Sequence, residues 1–286
     1  MKIALGQINT TVGDLAGNVD RMVRMARQAV EGGASLVAFP ELSITGYPPR
    51  DLVEKPSFVE RSEAQVGRLA AETAALPITI VCGYVGHSEA VLGKRATNSA
   101  AVLRAGEVAL RQTKMLLPTY DVFDEARYFV PAESQSLAEV GGRRVALTIC
   151  EDAWNDKQFW ERPLYRRDPV QELAGAGADF LISINASPYH MHKRALRQEV
   201  FASTARRHNM PVIYVNQVGG DDQLVFDGTS FAMDATGRVR ACAASFAEDL
   251  VFFDTATCTG DMHASLENES EAVYEALVVG TRDYIR

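Results

Sequence analysis

Hydrophobic positions along the chain recur with two alternating periods. Lys2–Gln7 opens as a short apolar strand. Val19, Met22, Val23, Ala26, Ala29 and Val30 then repeat at helical spacing, behind Asn18 as the expected N-cap and ahead of a Gly32-Gly33 stop. Short apolar runs at 36–39, 78–83 and 145–149, and at Phe180–Asn185 and Val212–Asn216, predict further strands. Amphipathic stretches at 57–74, 169–174, 191–208 and 265–284 predict helices. Residues 98–103 and 108–112 flank Ala105-Gly106 and read as a hairpin. Runs at 231–234, 239–243 and 250–253 read as a final antiparallel set. Helices alternating with strands, plus local hairpins, imply mixed sheets covered by helices. Two such sheets packed together use the whole length as one domain. No Pro/Ser-rich linker, internal repeat or low-complexity tract interrupts the pattern.

Three of these strands run straight into a reactive side chain. The run at 36–39 leads to Pro40-Glu41, the hairpin leads to Thr113-Lys114, and 145–149 leads to Cys150, followed by Glu151-Asp152-Ala153-Trp154. Open α/β sheets place their chemistry at such C-terminal strand ends. A thiol at its free value of about 8.5 is mostly protonated at neutral pH and needs a base or a cation to react. The five histidines are His87, His190, His192, His208 and His263, and none stands beside a strand end with an acidic partner in a triad pattern. Glu41 is the better base, because a carboxylate leaving a buried strand is expected to have a raised pKa. Lys114 balances the charge and faces a developing oxyanion, with the backbone N–H of Glu151 as a second donor. Each residue has a plainer reading alone: an inert core thiol, a solvated turn carboxylate, a lysine guarding a sheet edge. Together they are the parts for thiol-based acyl transfer.

Composition narrows the classes. Lys and Arg number 29 against 37 Asp and Glu, a net charge of −8, which argues against nonspecific binding to nucleic acid or anionic membranes. No apolar stretch approaches the roughly 18 residues of a membrane span, and the first strand is too short for a signal peptide, so the cytoplasm is the expected compartment. The four cysteines, Cys82, Cys150, Cys242 and Cys258, match no zinc spacing, and all but Cys150 read as structural. His190-x-His192 would suit a metal on a strand, but 189–197 reads as a helix start, where the two rings diverge.

The stretches 39–52 (FPELSITGYPPRDL), 114–129 (KMLLPTYDVFDEARYF), 149–154 (ICEDAW) and 185–190 (NASPYH) resemble the nitrilase, or carbon–nitrogen hydrolase, superfamily. Within it they resemble the glutaminase domains of glutamine-dependent NAD+ synthetases. The resemblance implies a four-layer α-β-β-α sandwich of two mixed sheets over 1–262, with 263–286 as a connector helix toward a synthetase domain that this chain lacks. It implies Glu41 as general base, Lys114 as the charge-stabilising lysine, Cys150 as nucleophile and Glu125 as a second glutamate supporting Lys114. Tyr120, Ser187 and Lys193 match glutamine-binding positions, and Tyr47 is expected in the same pocket. The Ser-Gly-Gly-x-Asp-Ser pyrophosphate loop of the synthetase half has no counterpart, since Val218-Gly-Gly-Asp-Asp222 reads as a turn. The implied activity is hydrolysis of L-glutamine, supplying ammonia for ATP-dependent amidation of deamido-NAD+. No cofactor or metal is implied for that hydrolysis; ATP and Mg2+ belong to the synthetase domain. A homo-oligomer is implied as well. Two alternatives stay open: an amidase acting on another small amide or carbamoyl compound, and a silent assembly protein.

Overall fold

The computed structural model describes residues 1–89 and 93–285. β1 (Lys2–Gln7) pairs in parallel with β2 (Leu36–Ala38), and β2 with β3 (Thr79–His87). The chain then turns back through β4 (Ala96–Arg104) and β5 (Glu107–Thr113) as an antiparallel meander. Ala105 and Gly106 both take positive φ, the mirror-image turn that matches strand twist. A second sheet is built from β6 (Ala138–Val140), the parallel trio β7 (Arg143–Ile149), β8 (Phe180–Asn185) and β9 (Val212–Asn216), and a later antiparallel pair. Between β9 and that pair stands a separate hairpin, β10 (Val218–Asp221) with β11 (Leu224–Asp227).

Side-chain alternation sorts the core into layers. Ile3 and Leu5 of β1 and Leu36 and Ala38 of β2 face Leu147, Ile149, Ile182 and Ile184 of the second sheet. Ala4, Val37 and Ile80 point the other way, onto α1 (Leu15–Glu31) and α2 (Pro56–Glu72). Ala146, Leu181 and Tyr214 point outward onto α4 (Pro169–Gly175) and α5 (Lys193–His208), meeting Leu173 and Phe201. A short α3 (Glu125–Tyr128) follows the first sheet. The result is the expected α-β-β-α sandwich of two mixed sheets, of seven and six strands.

Four local expectations change. Asp14, not Asn18, caps α1: its carboxylate accepts from the Gly17 amide at 3.0 Å. Asn18 lies a turn inside, fully buried, and bonds the Thr11 and Ile44 backbone instead. The supposed final antiparallel set is split between the sheets. β12 (Phe231–Met233) and β13 (Val239–Cys242) close the second sheet, whereas β14 (Asp249–Asp254) crosses over to pair with β1. That crossing lets Val251 and Phe253 join the inter-sheet core beside Ile3 and Leu5. A two-residue β15 (Thr259–Gly260) follows on the outer edge. The segment 218–222, expected as a plain turn, is a strand and the start of a hairpin turn. Finally, α6 (Glu269–Ile285) begins four residues later than expected and lies on the β10–β11 hairpin. Ala272, Ala276 and Val279 pack on Phe246, and a Cβ on Gly220 would meet the Gly280 backbone at 2.8 Å. No described helix is long and apolar enough to cross a membrane.

Candidate active site

The three strand ends singled out by sequence meet in space. After β2 the chain makes a tight loop in which Phe39 donates to Val81 O, Gly83 to Pro40 O and Ile44 to Gly83 O. β3 accepts this loop only because position 83 is glycine: a Cβ there would stand 2.2 Å from the Leu42 amide nitrogen. The loop turns Glu41 inward, with no exposed surface. Lys114 follows β5; its amide donates to Asn98 O and its carbonyl accepts from Ala132, each at 2.9 Å. Its side chain is also wholly buried. Cys150 follows β7 with φ of 45°, a left-handed conformation that a β-carbon disfavours, and opens a 3-10 turn over Cys150–Ala153. Such strain persists only where the surroundings over-determine it. Asp152 supplies that constraint. Its carboxylate accepts from the amides of Met115 (2.9 Å), Leu116 (2.8 Å) and Ile149 (3.3 Å) and from Gln135 (2.8 Å). One buried side chain therefore ties the cysteine turn to the segment after Lys114.

Behind the thiol lies a closed charge cluster. Lys114 Nζ donates to Glu41 Oε1 at 2.7 Å and to both oxygens of Glu125 at 2.8 and 2.9 Å. Asn98 Nδ2 donates to Glu41 Oε1 at 2.7 Å and to Glu125 Oε2 at 3.3 Å. The Ala186 amide donates to Glu41 Oε2, and the Tyr47 hydroxyl to Glu125 Oε1, both at 3.0 Å. Burial works against the Lys114 charge, but Glu125 and Glu41 outweigh it and hold the ammonium well above the ordinary lysine range. Burial pushes the Glu125 carboxyl up to about 7, Lys114 opposing and Glu41 adding to the rise. Burial and then the Glu41 carboxylate push the Cys150 thiol well above its usual range, against Lys114. Activating this thiol therefore calls for a base, and the Glu41 carboxylate lies in the cluster behind it.

In front of the thiol opens a cavity of about 380 Å³, lined by Tyr120, Cys150, Glu151, Trp154, Ser187 and Lys193 among others. Glu151 presents a carboxylate cradled by the Tyr120 hydroxyl, at 2.9 and 3.0 Å from its oxygens. Tyr165, on the same wall, donates to it too. Its amide belongs to the first turn of the 3-10 helix, where N–H groups lack partners within the helix. Ser187 is anchored through its backbone, the amide donating to Asn216 Oδ1 at 2.9 Å and the carbonyl accepting from Arg197 at 3.1 Å. Lys193 begins α5 with its ammonium 5.8 Å from the Phe123 ring centre and 5.9 Å from that of Trp154. It makes no ion pair among the described residues, and burial, then Arg197, lowers its pKa.

The structure thus gathers Glu41, Lys114, Glu125 and Cys150 into one cluster and places Tyr120, Glu151, Ser187 and Lys193 on one cavity. Tyr47 stands elsewhere: it is buried behind Glu125 and lines a separate cavity of about 200 Å³ with Pro48, Arg50 and Tyr128. His192 pairs with Glu269 at 3.5 Å and His190 turns to the Met191 carbonyl. No cluster of three or more potential metal ligands forms among the described residues. Asn98, Asp152 and Tyr165 escaped sequence reading. Asn98 and Asp152 look like ordinary polar positions, one within an apolar strand and one just after, and Tyr165 lies in an irregular loop.

A four-layer sandwich with a thiol, an ammonium and two carboxylates gathered at its strand ends is the fold and site of a hydrolase of carbon–nitrogen bonds. The family description "Carbon-nitrogen hydrolase" matches residues 2–261, and the chain belongs to that family. It is 40% identical over 291 residues to a glutamine-dependent NAD(+) synthetase of Synechocystis, covering 99% of this chain and 52% of that protein. The structure of a glutamine-dependent NAD+ synthetase from Acinetobacter baumannii superposes with a TM-score of 0.85 at 34% identity, over 99% of this chain and 52% of that one. An amidase from Nesterenkonia sp. AN1, with the acetamide moiety of fluoroacetamide added covalently at its active site cysteine, superposes with a TM-score of 0.75 at 25% identity, over 88% and 89% of the two chains. The chain spans about half the length of the synthetases it matches.

Proposed function

We propose that this chain hydrolyses the side-chain amide of L-glutamine, as the ammonia-supplying half of a glutamine-dependent NAD+ synthetase. One observation carries the reading. The cavity in front of Cys150 sets a carboxylate, Glu151, and an unpaired ammonium, Lys193, on its walls. Opposite charges flanking a thiol fit the zwitterionic head of an amino acid whose side chain ends in an amide. In this reading Glu151 holds the α-ammonium, and Lys193 with Ser187 holds the α-carboxylate. The similarity of the whole chain to proteins named for their dependence on glutamine supports it.

Glu41 Oε1 already accepts from Lys114 and Asn98, whereas Oε2 accepts, among the described residues, only from Ala186. Oε2 thus keeps a lone pair for the thiol proton. As that proton moves to Glu41, Cys150 Sγ bonds to the amide carbon. Lys114 and the Glu151 amide stabilise the oxyanion. Glu41 returns the proton to nitrogen, the C–N bond breaks, and ammonia leaves a thioester. Water then gives a proton to Glu41 and attacks the thioester; the C–S bond breaks, the thiolate recovers the proton, and glutamate departs. The adduct on the related amidase's active site cysteine supports Cys150 as nucleophile. No cofactor enters these steps; ATP and Mg2+ would act in the other half. α6, beyond the family match, would carry the chain toward it, in a cytoplasmic homo-oligomer.

The test is release of ammonia and glutamate from glutamine, with and without iodoacetamide pretreatment, and mapping of the labelled cysteine. Thiol-sensitive turnover with the label on Cys150 is the expected result. Turnover of a simple aliphatic amide in preference to glutamine would instead favour an amidase of the kind seen in Nesterenkonia.

A further inference from the structure

Asn98 lies in β4, fully buried, between the two carboxylates behind the thiol. Both neighbours on its amino side are carboxylate oxygens, at 2.7 and 3.3 Å. Ionised carboxylates only accept, so the amino end must face them and the carbonyl end must face away. There Oδ1 finds no hydrogen-bond partner among the described residues. Leaving a buried acceptor unpaired weakens folding, and an apolar side chain of similar size would avoid that cost. A buried polar group that opposes stability calls for another explanation, and the amino side supplies one.

We infer that Asn98 is a positioning residue for the hydrolysis, a neutral donor shared by Glu41 and Glu125 that holds the Glu41 carboxylate aimed at the Cys150 thiol. The inference rests on Glu41 acting as the base. Lys114 spends one bond on Glu41 and two on Glu125. Asn98 adds a second bond to Glu41 Oε1, and Ala186 fixes Oε2, so the carboxylate plane is held by three donors. The amide's neutrality matters. Above the Glu125 value of about 7, two carboxylates and one ammonium leave this cluster with one net negative charge. A second cation in place of Asn98 would cancel it and make the base reluctant to accept a proton. The groups facing this point are Glu41 and Tyr47 from the loop after β2, Lys114 from the end of β5, Glu125 from α3, and Cys150 and Glu151 from the turn after β7.

The experiment compares Asn98→Leu and Asn98→Ser with the unaltered protein. Glutamine kinetics, the pH dependence of Cys150 alkylation by iodoacetamide, and thermal unfolding are read together. Asn98→Leu is expected to lower kcat by about 10- to 100-fold with KM changed less than about threefold. The acid limb of both pH profiles should move up by about one unit, because a donor favouring the ionised carboxylates is gone. The melting temperature should fall only modestly, since removal of the orphaned carbonyl offsets part of the loss of two bonds to buried carboxylates. Asn98→Ser, with a single hydroxyl donor, should fall between, and it carries the test if the leucine variant does not fold. Alkylation needs no glutamine, so a shifted labelling profile supports the inference even if the amide substrate proves different. Loss of activity in step with a lower melting temperature, with both pH profiles unmoved, would overturn it and leave Asn98 as packing.

Discussion

The two sides of Cys150 are built on opposite principles. Behind it, Glu41, Lys114, Glu125 and Asn98 are sealed from solvent and joined by short charge-assisted bonds. In front, the cavity is roomy, walled by Phe123, Trp154 and Leu164, and carries an ammonium with no ionic partner among the described residues. The rear is finished before any ligand arrives. Its charges were desolvated during folding, so no reorganisation remains for the chemical step. The front is left incomplete, and its cation gains a partner only when an anion enters. A rear that sets rate and a front that sets affinity should separate in kinetics: damage behind the thiol should appear in kcat, damage in front of it in KM.

The largest effect should come from Lys114→Met. It leaves two buried carboxylates facing each other with only Asn98, Tyr47 and a backbone amide as donors. Removing one partner of a buried ionic cluster costs about 3–5 kcal/mol, and oxyanion stabilisation is lost too, so kcat should fall by about 10³-fold or more. Urea unfolding at two pH values checks the cause. The destabilisation should ease toward acid, where a carboxylate takes up a proton in place of the lost ammonium. A KM effect alone, with stability intact, would break the distinction between the two sides.

Glu125 offers a pH test of the rear. Its folded value of about 7 lies above the ordinary 4.5, so the folded state holds this proton more tightly than the unfolded state. That contribution is fully present below about pH 4.5 and is lost as pH rises through 7. Glu125→Gln, which cannot ionise, lacks this slope. Over that window the unaltered protein should lose up to about 2–3 kcal/mol relative to the variant. Equal slopes for the two proteins would mean that Glu125 is ionised throughout.

The front should respond differently. Lys193→Ala removes the free ammonium without touching the charge cluster, and should raise KM for glutamine by about 10- to 100-fold with kcat within a factor of a few. The rate of Cys150 alkylation should hardly change. A matching loss of kcat would make Lys193 part of the chemistry and blur the two sides.

Sequence and structure agree unevenly across this same divide. The strands that end in Glu41 and Cys150 were legible because buried strands write continuous apolar runs, and the half-exposed edge strand before Lys114 was legible from the Ala105-Gly106 turn of its hairpin. The alternation of such runs with helices pointed to mixed sheets covered by helices, and the family resemblance added the four-layer order. What supports the cluster was not legible. Asn98 is the middle one of three consecutive polar letters in β4, and nothing local says that it faces two carboxylates from distant segments. Asp152 gathers amides from Met115, Leu116 and Ile149, a partnership set by tertiary approach. Tyr47 shows the converse. The family resemblance led to its being expected in the substrate pocket, but the loop turns it behind Glu125, and only the fold decides which side of a buried carboxylate a ring occupies. β14 was misassigned for the same reason: a strand's apolar pattern does not name the sheet it joins.

The smallest effect tests the front most closely. Tyr120 is 43% exposed, yet its hydroxyl reaches both oxygens of Glu151. Burial and Glu151 push this phenol far above its usual range, so it remains a donor throughout the working pH range. Tyr120→Phe removes one donor while Tyr165 still holds the carboxylate. One hydrogen bond to a charged group is worth about 1.5–3 kcal/mol at most, and a second donor shares the task, so KM should rise only about three- to tenfold with kcat unchanged. The sign distinguishes two roles for Glu151. If its carboxylate holds the substrate's ammonium, loosening it weakens binding of glutamine and leaves simple aliphatic amides, which lack an α-ammonium, unaffected. If Glu151 instead serves only to brace the turn that presents Cys150, Tyr120→Phe should slow alkylation and turnover of every amide alike, and the charge would belong with the machinery behind the thiol.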